Sequence, residues 1–231
     1  MDYDGTLVPF FILPKDALLP QNVRRILSRL ASSRRFTVGI LSGRSLKDIR
    51  SMIGLRHIYY AGNHGLEMFG PGLKFCHPEA AALRPTLRML RKDLEKACKG
   101  IHGVFLEDKG LSLSLHYRNM PHSEAKLLGK ALRLVKKKYS RSPIFWNRGK
   151  KIWNVVPTKS WNKGKAALLL LKRLKCPFPI AIGDDRTDWD MFQALANKGV
   201  TIQVGMLKNS TAKYRLKNPA EVVLLLKNLR P

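Results

Sequence analysis

Residues 2–7 read Asp-Tyr-Asp-Gly-Thr-Leu, two carboxylates flanking one residue ahead of a Gly-Thr turn. A carboxylate can attack phosphorus and carry the phosphoryl group when a cation screens the repulsion between the two anions. For Asp2 and Asp4 to serve one site the chain must turn sharply, and Gly5 permits the unusual backbone angles this needs. The same spacing also opens calcium loops and ordinary turns, so these six residues alone leave both readings open.

Three further segments could complete a phosphate site. Leu41-Ser42-Gly43-Arg44 follows the apolar run Phe36-Thr37-Val38-Gly39-Ile40, which reads as a buried strand ending in a hydroxyl, a flexible glycine and a cation. Asn162-Lys163-Gly164 opens a helical pattern. Pro179-Ile180-Ala181-Ile182 runs into Gly183-Asp184-Asp185-Arg186-Thr187-Asp188, a strand with carboxylates at its carboxyl end, where open α/β sheets place their ligands. Together they offer a nucleophile, a phosphate-binding hydroxyl, a lysine and metal-binding acids. Each also has a plainer reading. Ser42 could cap the next helix, Asp185 and Asp188 could be a first-turn acidic pair favoured by the helix dipole, and Lys163 could be a solvated lysine.

With these motifs in this order, the chain resembles the haloacid dehalogenase superfamily of phosphatases, and within it the trehalose-6-phosphate phosphatase family, over nearly its whole length. The subfamily-like residues are Ser42-Gly43-Arg44, Gly62-Asn63-His64-Gly65-Leu66-Glu67, Glu107-x-Lys109, His116-Tyr117-Arg118 and Gly183-Asp184-Asp185-x-Thr187-Asp188-x-Asp190. The resemblance implies that Asp2 attacks phosphorus and that Asp4 acts as acid, then base. It implies Mg2+ held by Asp2, the Asp4 carbonyl and Asp184. Ser42 and Gly43 would hold phosphate oxygens, and Lys163 would add positive charge. Asp185 and Asp188 support the site, with Asp188 orienting Lys163 or a metal-bound water. For the sugar it implies Glu107, Lys109 and the position of Asn154, with Arg44, Asn63 and His64 lining the cleft. Glu107 to Gly110 could equally form an exposed hairpin turn. The implied substrate is trehalose 6-phosphate, and the implied functional neighbour a trehalose-phosphate synthase.

The chain departs from that pattern twice. Asn154 stands where the family usually carries a glutamate, which loses a charge though not an acceptor. This leaves room for another sugar phosphate, of the sucrose- or glycosyl-glycerate-phosphate type. The second departure is that only Met1 precedes Asp2, whereas the family has an apolar strand there, central in the sheet between the strands ending at Ser42 and Gly183. The expectation is a truncated form of a chain with about five to ten further apolar residues upstream, on typical strand length.

The elements that must position these residues form an α/β core of the doubly wound parallel type, interrupted by an α+β insertion. Residues 1–76 and 158–231 read as the core, and 77–157 as two rounds of helix-strand-strand, a cap that can pack helices on one sheet face and cover a pocket with the other. Helices are expected near 20–33, 45–53, 79–98, 122–139, 162–174, 187–197 and 219–229. Strands are expected into Ser42, near 57–61, 65–69, 103–107, 111–116, 144–146, 151–156, 179–183 and 200–204.

Composition narrows the class. At 231 residues with 45% apolar content the chain can bury a real core. It has no apolar run near the ~20 residues that span a bilayer. Cys76, Cys98 and Cys176 have no CxxC spacing and read as buried thiols in a reducing compartment, the cytoplasm. Against 16 acidic residues stand 43 lysines and arginines, a net charge of +27. That field attracts phosphates and nucleic acid, but its charges are dispersed, and no nucleic-acid motif accompanies Lys136-Lys137-Lys138. A solvated basic surface on a monomer with no specific nucleic-acid partner is expected. A degenerate fold kept as a basic nucleic-acid-binding module is the reading from another class, and the intact set of acids argues against it.

Overall fold

The computed structural model describes residues 1–11, 16–149 and 151–230. Contact density divides the chain into two units, Met1–Phe75 with Trp161–Pro231, and Cys76–Ser160. The insertion expected over 77–157 thus starts one residue earlier and ends three later, because the chain leaving its last strand turns through Thr158 and Ser160, whose hydroxyls lie 3.1 Å apart.

In the first unit the strands β1 (Gly39–Leu41), β2 (Tyr59–Gly62), β3 (Glu67–Gly70) and β4 (Leu73–Cys76) form one sheet in that order. β1 and β2 run parallel, and β3 turns back antiparallel. The strands β9 (Ile180–Gly183), β10 (Val200–Val204) and β11 (Tyr214–Leu216) form a second, parallel sheet. Neighbouring residues on these strands feed opposite cores. Ile40, Tyr60, Ile182 and Ile202 join Leu27, Ile49, Ile53 and Val222 from α1 (Gln21–Ala31), α2 (Leu46–Ile53) and α8 (Pro219–Asn228). Leu41, Ala61 and Ala181 join Ala166, Leu170, Met191 and Phe192 from α6 (Lys163–Leu174) and α7 (Arg186–Leu195). Apolar side chains on both faces are the mark of a doubly wound sheet.

Met1 and Asp2 lie between the two sheets and bond to both. The Met1 nitrogen donates to Gly39 O at 2.8 Å, Leu41 N–H donates to Met1 O at 2.9 Å, and Asp2 N–H donates to Ile182 O at 2.8 Å. This is the place between the strands ending at Ser42 and Gly183. β1 and β9, on either side of them, belong to separate sheets. A cavity of about 430 Å³ lies alongside, lined by Met1, Phe36, Val38, Leu170, Phe178 and Ile182 among others.

The second unit carries a four-stranded antiparallel sheet in the order β5 (Phe105–Asp108), β6 (Leu113–His116), β8 (Ile152–Val156) and β7 (Phe145–Gly149). Leu113, Leu115 and Val155 point to one face, against Leu87, Leu90 and Leu94 of α4 (Arg84–Ala97) and Leu128, Leu132 and Val135 of α5 (Ala125–Lys138).

Four sequence expectations need correction. The helix expected over 79–98 is two, α3 (Pro78–Ala82) and α4, meeting at Leu83, because Pro85 has no N–H to continue the first and suits the opening turn of the second. A 3₁₀ turn, His122–Glu124, precedes α5. The strands β4 and β11 were not expected from the sequence. Both are short, and β11 lies at a sheet edge with two exposed residues, where no alternation marks it. Cys76, Cys98 and Cys176, expected to be buried, are all only half-buried. Among the described residues, no helix is long and apolar enough to cross a membrane.

Leu90 is fully buried among the helices and sheet of the second unit. Leu90→Ala is expected to cost about 2–5 kcal/mol by lost burial and a residual cavity. Chemical denaturation followed by circular dichroism measures it, and a loss under about 0.5 kcal/mol would contradict the packing described.

Candidate active site

The site is built at the carboxyl ends of β1 and β9. After the ladder bond at Asp2 the chain turns back on itself, with the N–H groups of Thr6, Leu7 and Val8 all approaching Tyr3 O at 2.9–3.3 Å. Tyr3 is fully buried and donates its hydroxyl to Ala17 O at 2.6 Å, so the residue between the two aspartates anchors the turn. Gly5 has φ +76°, and a Cβ there would lie 2.1 Å from Asp184 Oδ2. Only glycine both takes that angle and lets the Asp184 carboxylate come so close.

Lys163, the first residue of α6, lies 3.0 Å from Asp2 Oδ2 and 2.9 Å from Asp188 Oδ1 and is 2% exposed. A cation at a helix N-terminus opposes the dipole, so its place there depends on the two carboxylates. Asn162 caps the helix by accepting from Lys165 N–H at 2.9 Å. The solvated-lysine reading is thereby removed.

Asp188 is committed on both oxygens. One meets Lys163, and the other accepts from the N–H groups of Asp184 and Asp185 at 3.0 and 3.1 Å. Asp185 caps α7, accepting from Thr187 N–H at 2.8 Å, in a capping box with Asp188. Gly183 allows this packing, since a Cβ there would lie 2.2 Å from the Asp188 carboxyl carbon. Oxygens of Asp2, Asp185 and Asp188 lie within 4.8 Å of one another, a spacing that could hold a metal ion. Asp188, though, is already engaged by Lys163 and two amides.

Electrostatics agree. Four carboxylates, Asp2, Asp184, Asp185 and Asp188, face one buried lysine. Burial raises the Asp2 pKa well above the carboxylate range; Lys163 opposes the shift, and the charges of Asp188, Asp185 and Asp184 add to it. Lys163 stays charged, its pKa raised by Asp2 and Asp188 against the effect of burial. Asp184 is raised to about 7 by burial and by Asp185 and Asp188, despite Lys163 and a hydrogen bond from Thr6 Oγ1 at 3.1 Å. The cluster lacks positive charge, which is the condition a divalent cation meets.

Ser42 is buried at the end of β1, its Oγ accepting from Arg44 N–H at 3.2 Å. The cap of α2 is Ser45, which accepts from Asp48 N–H at 3.1 Å, so Ser42 is not needed for that role. Arg44 reaches back to grip Asp4, and His64 packs over Gly43, where a Cβ would meet its ring at 2.7 Å. Asn63 is 1% exposed and donates to Glu67 Oε1 at 2.9 Å, which places it in the framework of its loop.

The remaining expected residues belong to the second unit and are described within it. Glu107, Ser114, Asn154 and Asn147 are register partners across β5, β6, β8 and β7, a polar row on the face opposite Leu113, Leu115 and Val155. Lys109 Nζ and His116 Nε2 lie 3.7 and 2.9 Å from Glu107 Oε2, and Ser114 Oγ donates to Asn154 Oδ1 at 2.7 Å.

Thr6 and His116 stood in the motifs without a role assigned to them, and Gln203 and Ser114 were not singled out from the sequence. Thr6 was visible beside Gly5, and Ser114 and His116 sit on a strand already identified. Gln203 Nε2 donates to Asp184 O at 2.6 Å from β10, a contact no local pattern announces.

A family model described as trehalose-phosphatase matches residues 1–220. A probable trehalose-phosphate phosphatase from Oryza sativa subsp. japonica is 33% identical over 243 residues, covering 99% of this chain and 64% of that protein. The chain therefore spans a little under two thirds of that relative's length. The crystal structure of a trehalose-6-phosphate phosphatase related protein superposes with a TM-score of 0.83 at 24% identity, covering 98% of this chain and 94% of that one. A haloacid dehalogenase-like hydrolase from Bacteroides thetaiotaomicron superposes with a TM-score of 0.65 at 15% identity, covering 98% and 96%. At these identities the two structures speak to the fold, which is of the haloacid dehalogenase type.

Asp184 gives a pH signature. Its folded pKa of about 7 lies above the ordinary 3.8, so the folded state holds the proton more tightly than the unfolded one. Stability in the presence of a chelator is therefore expected to fall as pH rises through that window. A divalent cation should remove much of the loss. Thermal melts at about pH 4.5 and 6, with EDTA or with millimolar Mg2+, test this below the range in which the buried Met1 amine, its pKa lowered to about 6 by burial, adds stability as pH rises; a metal-free protein that gains stability between the two would contradict it.

Proposed function

Because the chain belongs to the trehalose-phosphatase family, we propose that it is a phosphatase of a sugar phosphate, with trehalose 6-phosphate as its first candidate substrate. The observation that carries this reading is the buried Asp2–Lys163–Asp188 arrangement beside Asp184 and the Asp4 turn. A nucleophile, an acid–base and a phosphate-facing cation are the parts that phosphoryl transfer needs.

Asp2 attacks phosphorus, and the bond to the sugar oxygen breaks as the bond to the Asp2 carboxylate forms. Asp4 delivers a proton to the departing oxygen, then takes one from the water that cleaves the acyl-phosphate. Ser42 and the Gly43 amide hold phosphate oxygens. Lys163 stays charged and faces the charge that develops in transfer. Asp188 fixes the lysine, and Asp185 fixes the helix that carries Asp188. Asp2, Asp184 and the Asp4 carbonyl would hold a divalent cation, which we take to be magnesium; when bound it screens the phosphate charge from the nucleophile. The fit rests on the excess of carboxylates over cations.

For the sugar we propose the polar row of the second unit, with Glu107 and Lys109 as its charged members and Asn154 beside Ser114. The amide at 154 in place of a carboxylate supports a second reading, a different sugar phosphate of the sucrose- or glycosyl-glycerate-phosphate type. A trehalose-phosphate synthase would supply the first candidate substrate. We place the protein in the cytoplasm on its three free thiols.

Asp2→Asn is expected to abolish phosphate release while circular dichroism stays unchanged, since the covalent path is lost and the fold is not. A folded variant with wild-type turnover would end the assignment of Asp2.

The substrate is tested by a panel of sugar phosphates beside a small generic ester. If the polar row reads the sugar, Glu107→Ala should lose at least about tenfold more in kcat/KM on the sugar phosphate than on the small ester, as a charged hydrogen bond would require. Equal losses would make Glu107 a support of the sheet. Asn154→Glu should hold or raise activity on trehalose 6-phosphate, and a sharp loss on that ester alone favours the second reading.

A further inference from the structure

Asp4 is the group that must exchange a proton in the reaction proposed above, and this inference rests on that reading. Arg44 Nε donates to Asp4 Oδ2 at 2.6 Å, and its Nη2 donates to Oδ1 at 2.5 Å. Both carboxylate oxygens thus sit in one guanidinium fork, a planar match that sets direction as well as distance. The arginine is itself fixed. Its N–H is bonded to Ser42 Oγ, its carbonyl accepts from Asn63 N–H at 2.7 Å, and its guanidinium lies 5.6 Å from the centre of the buried Tyr3 ring. The Arg44 side chain is 11% exposed and that of Asp4 27%, so the pair stands at the rim with the arginine on the inner side.

An aspartate on a glycine turn can rotate about its own side-chain bonds, and the turn fixes only its backbone. The fork supplies the missing constraint. We propose that Arg44 is the positioning residue of the acid–base Asp4, holding its carboxyl along the line to the leaving oxygen. Held in this direction, the Asp4 carboxyl faces the leaving oxygen and hands it a proton as the bond from phosphorus to that oxygen breaks and the bond from phosphorus to Asp2 forms. The resulting Asp4 carboxylate lies in the fork, in place to accept a proton from the attacking water. Lysine cannot hold two oxygens in one plane, so the role belongs to arginine specifically.

The leaving group separates positioning from phosphate binding. First-turnover release of alcohol is measured by rapid quench for an alkyl phosphate, whose alkoxide needs a proton, and for p-nitrophenyl phosphate, whose phenolate does not. Arg44→Ala and Arg44→Gln are expected to slow the alkyl ester by about thirtyfold or more and the aryl ester by less than about threefold, the gap being the general-acid contribution. Arg44→Lys should fall between wild type and Arg44→Ala on the alkyl ester alone, and inhibition by inorganic phosphate should change little. Equal slowing of both esters, or a loss confined to KM, would overturn the proposal in favour of a phosphate-binding arginine. If Arg44→Ala and Arg44→Gln do not fold by circular dichroism, Arg44→Lys carries the same two outcomes. Asp2→Asn run alongside should silence both esters; if it turns over like wild type, the reaction reading falls and the proposal with it.

Discussion

The site depends on one buried cation shared by two carboxylates. Lys163 stands about 3 Å from both Asp2 and Asp188, and these come from a strand-like segment, a helix start and a second helix. Burying three charged groups costs several kcal/mol per ion unless they satisfy one another, and removing one member leaves the others uncompensated. The contact therefore holds the amino-terminal segment, α6 and α7 in one arrangement. It also consumes the capacity of Asp188, which has amides on its other oxygen.

What the lysine leaves over is negative. Asp184 lies against Gly5 with its pKa pushed up, and Asp2 shares its single cation with a neighbour. Such a cluster ties the chain segments together and still holds more carboxylates than cations. The glycines serve this end. At Gly5 and Gly183 a single methyl would collide with Asp184 or Asp188, so the acids approach the backbone only because no side chain intervenes. The Arg44 fork on Asp4 extends the pairing of charges to the rim.

The second unit works by a separate rule. Its helices cover one face of an antiparallel sheet, and the other face carries Glu107, Ser114, Asn154 and Asn147 in one row. Strand register places these four side by side although they span 48 positions of the chain, from 107 to 154. Ser114 donates to Asn154 and so orients its amide within the row.

Much of this was legible in the sequence because local forces write it there. The run Phe36–Ile40 and the run into Gly183 announced buried strands, and the Gly5, Ser42 and Lys163 motifs announced what lies at strand and helix ends. The type of fold follows from such alternation, since buried strands and amphipathic helices have few ways to pack. Sequence could not separate the plain from the functional reading of Ser42 or Lys163, because a hydroxyl before a helix and a lysine at its first turn are common. Tertiary structure decided both: the α2 cap is Ser45, and Lys163 is buried between two aspartates. It also decided the break at Leu83, the edge strand β11, the saturation of Asp188, and the Arg44–Asp4 and Gln203–Asp184 contacts. The reason is range. Periodicity and turn chemistry act over a few residues, whereas a pair of partners 40 positions apart along the chain, as Asp4 and Arg44 are, is fixed only when the sheet brings its strand ends together.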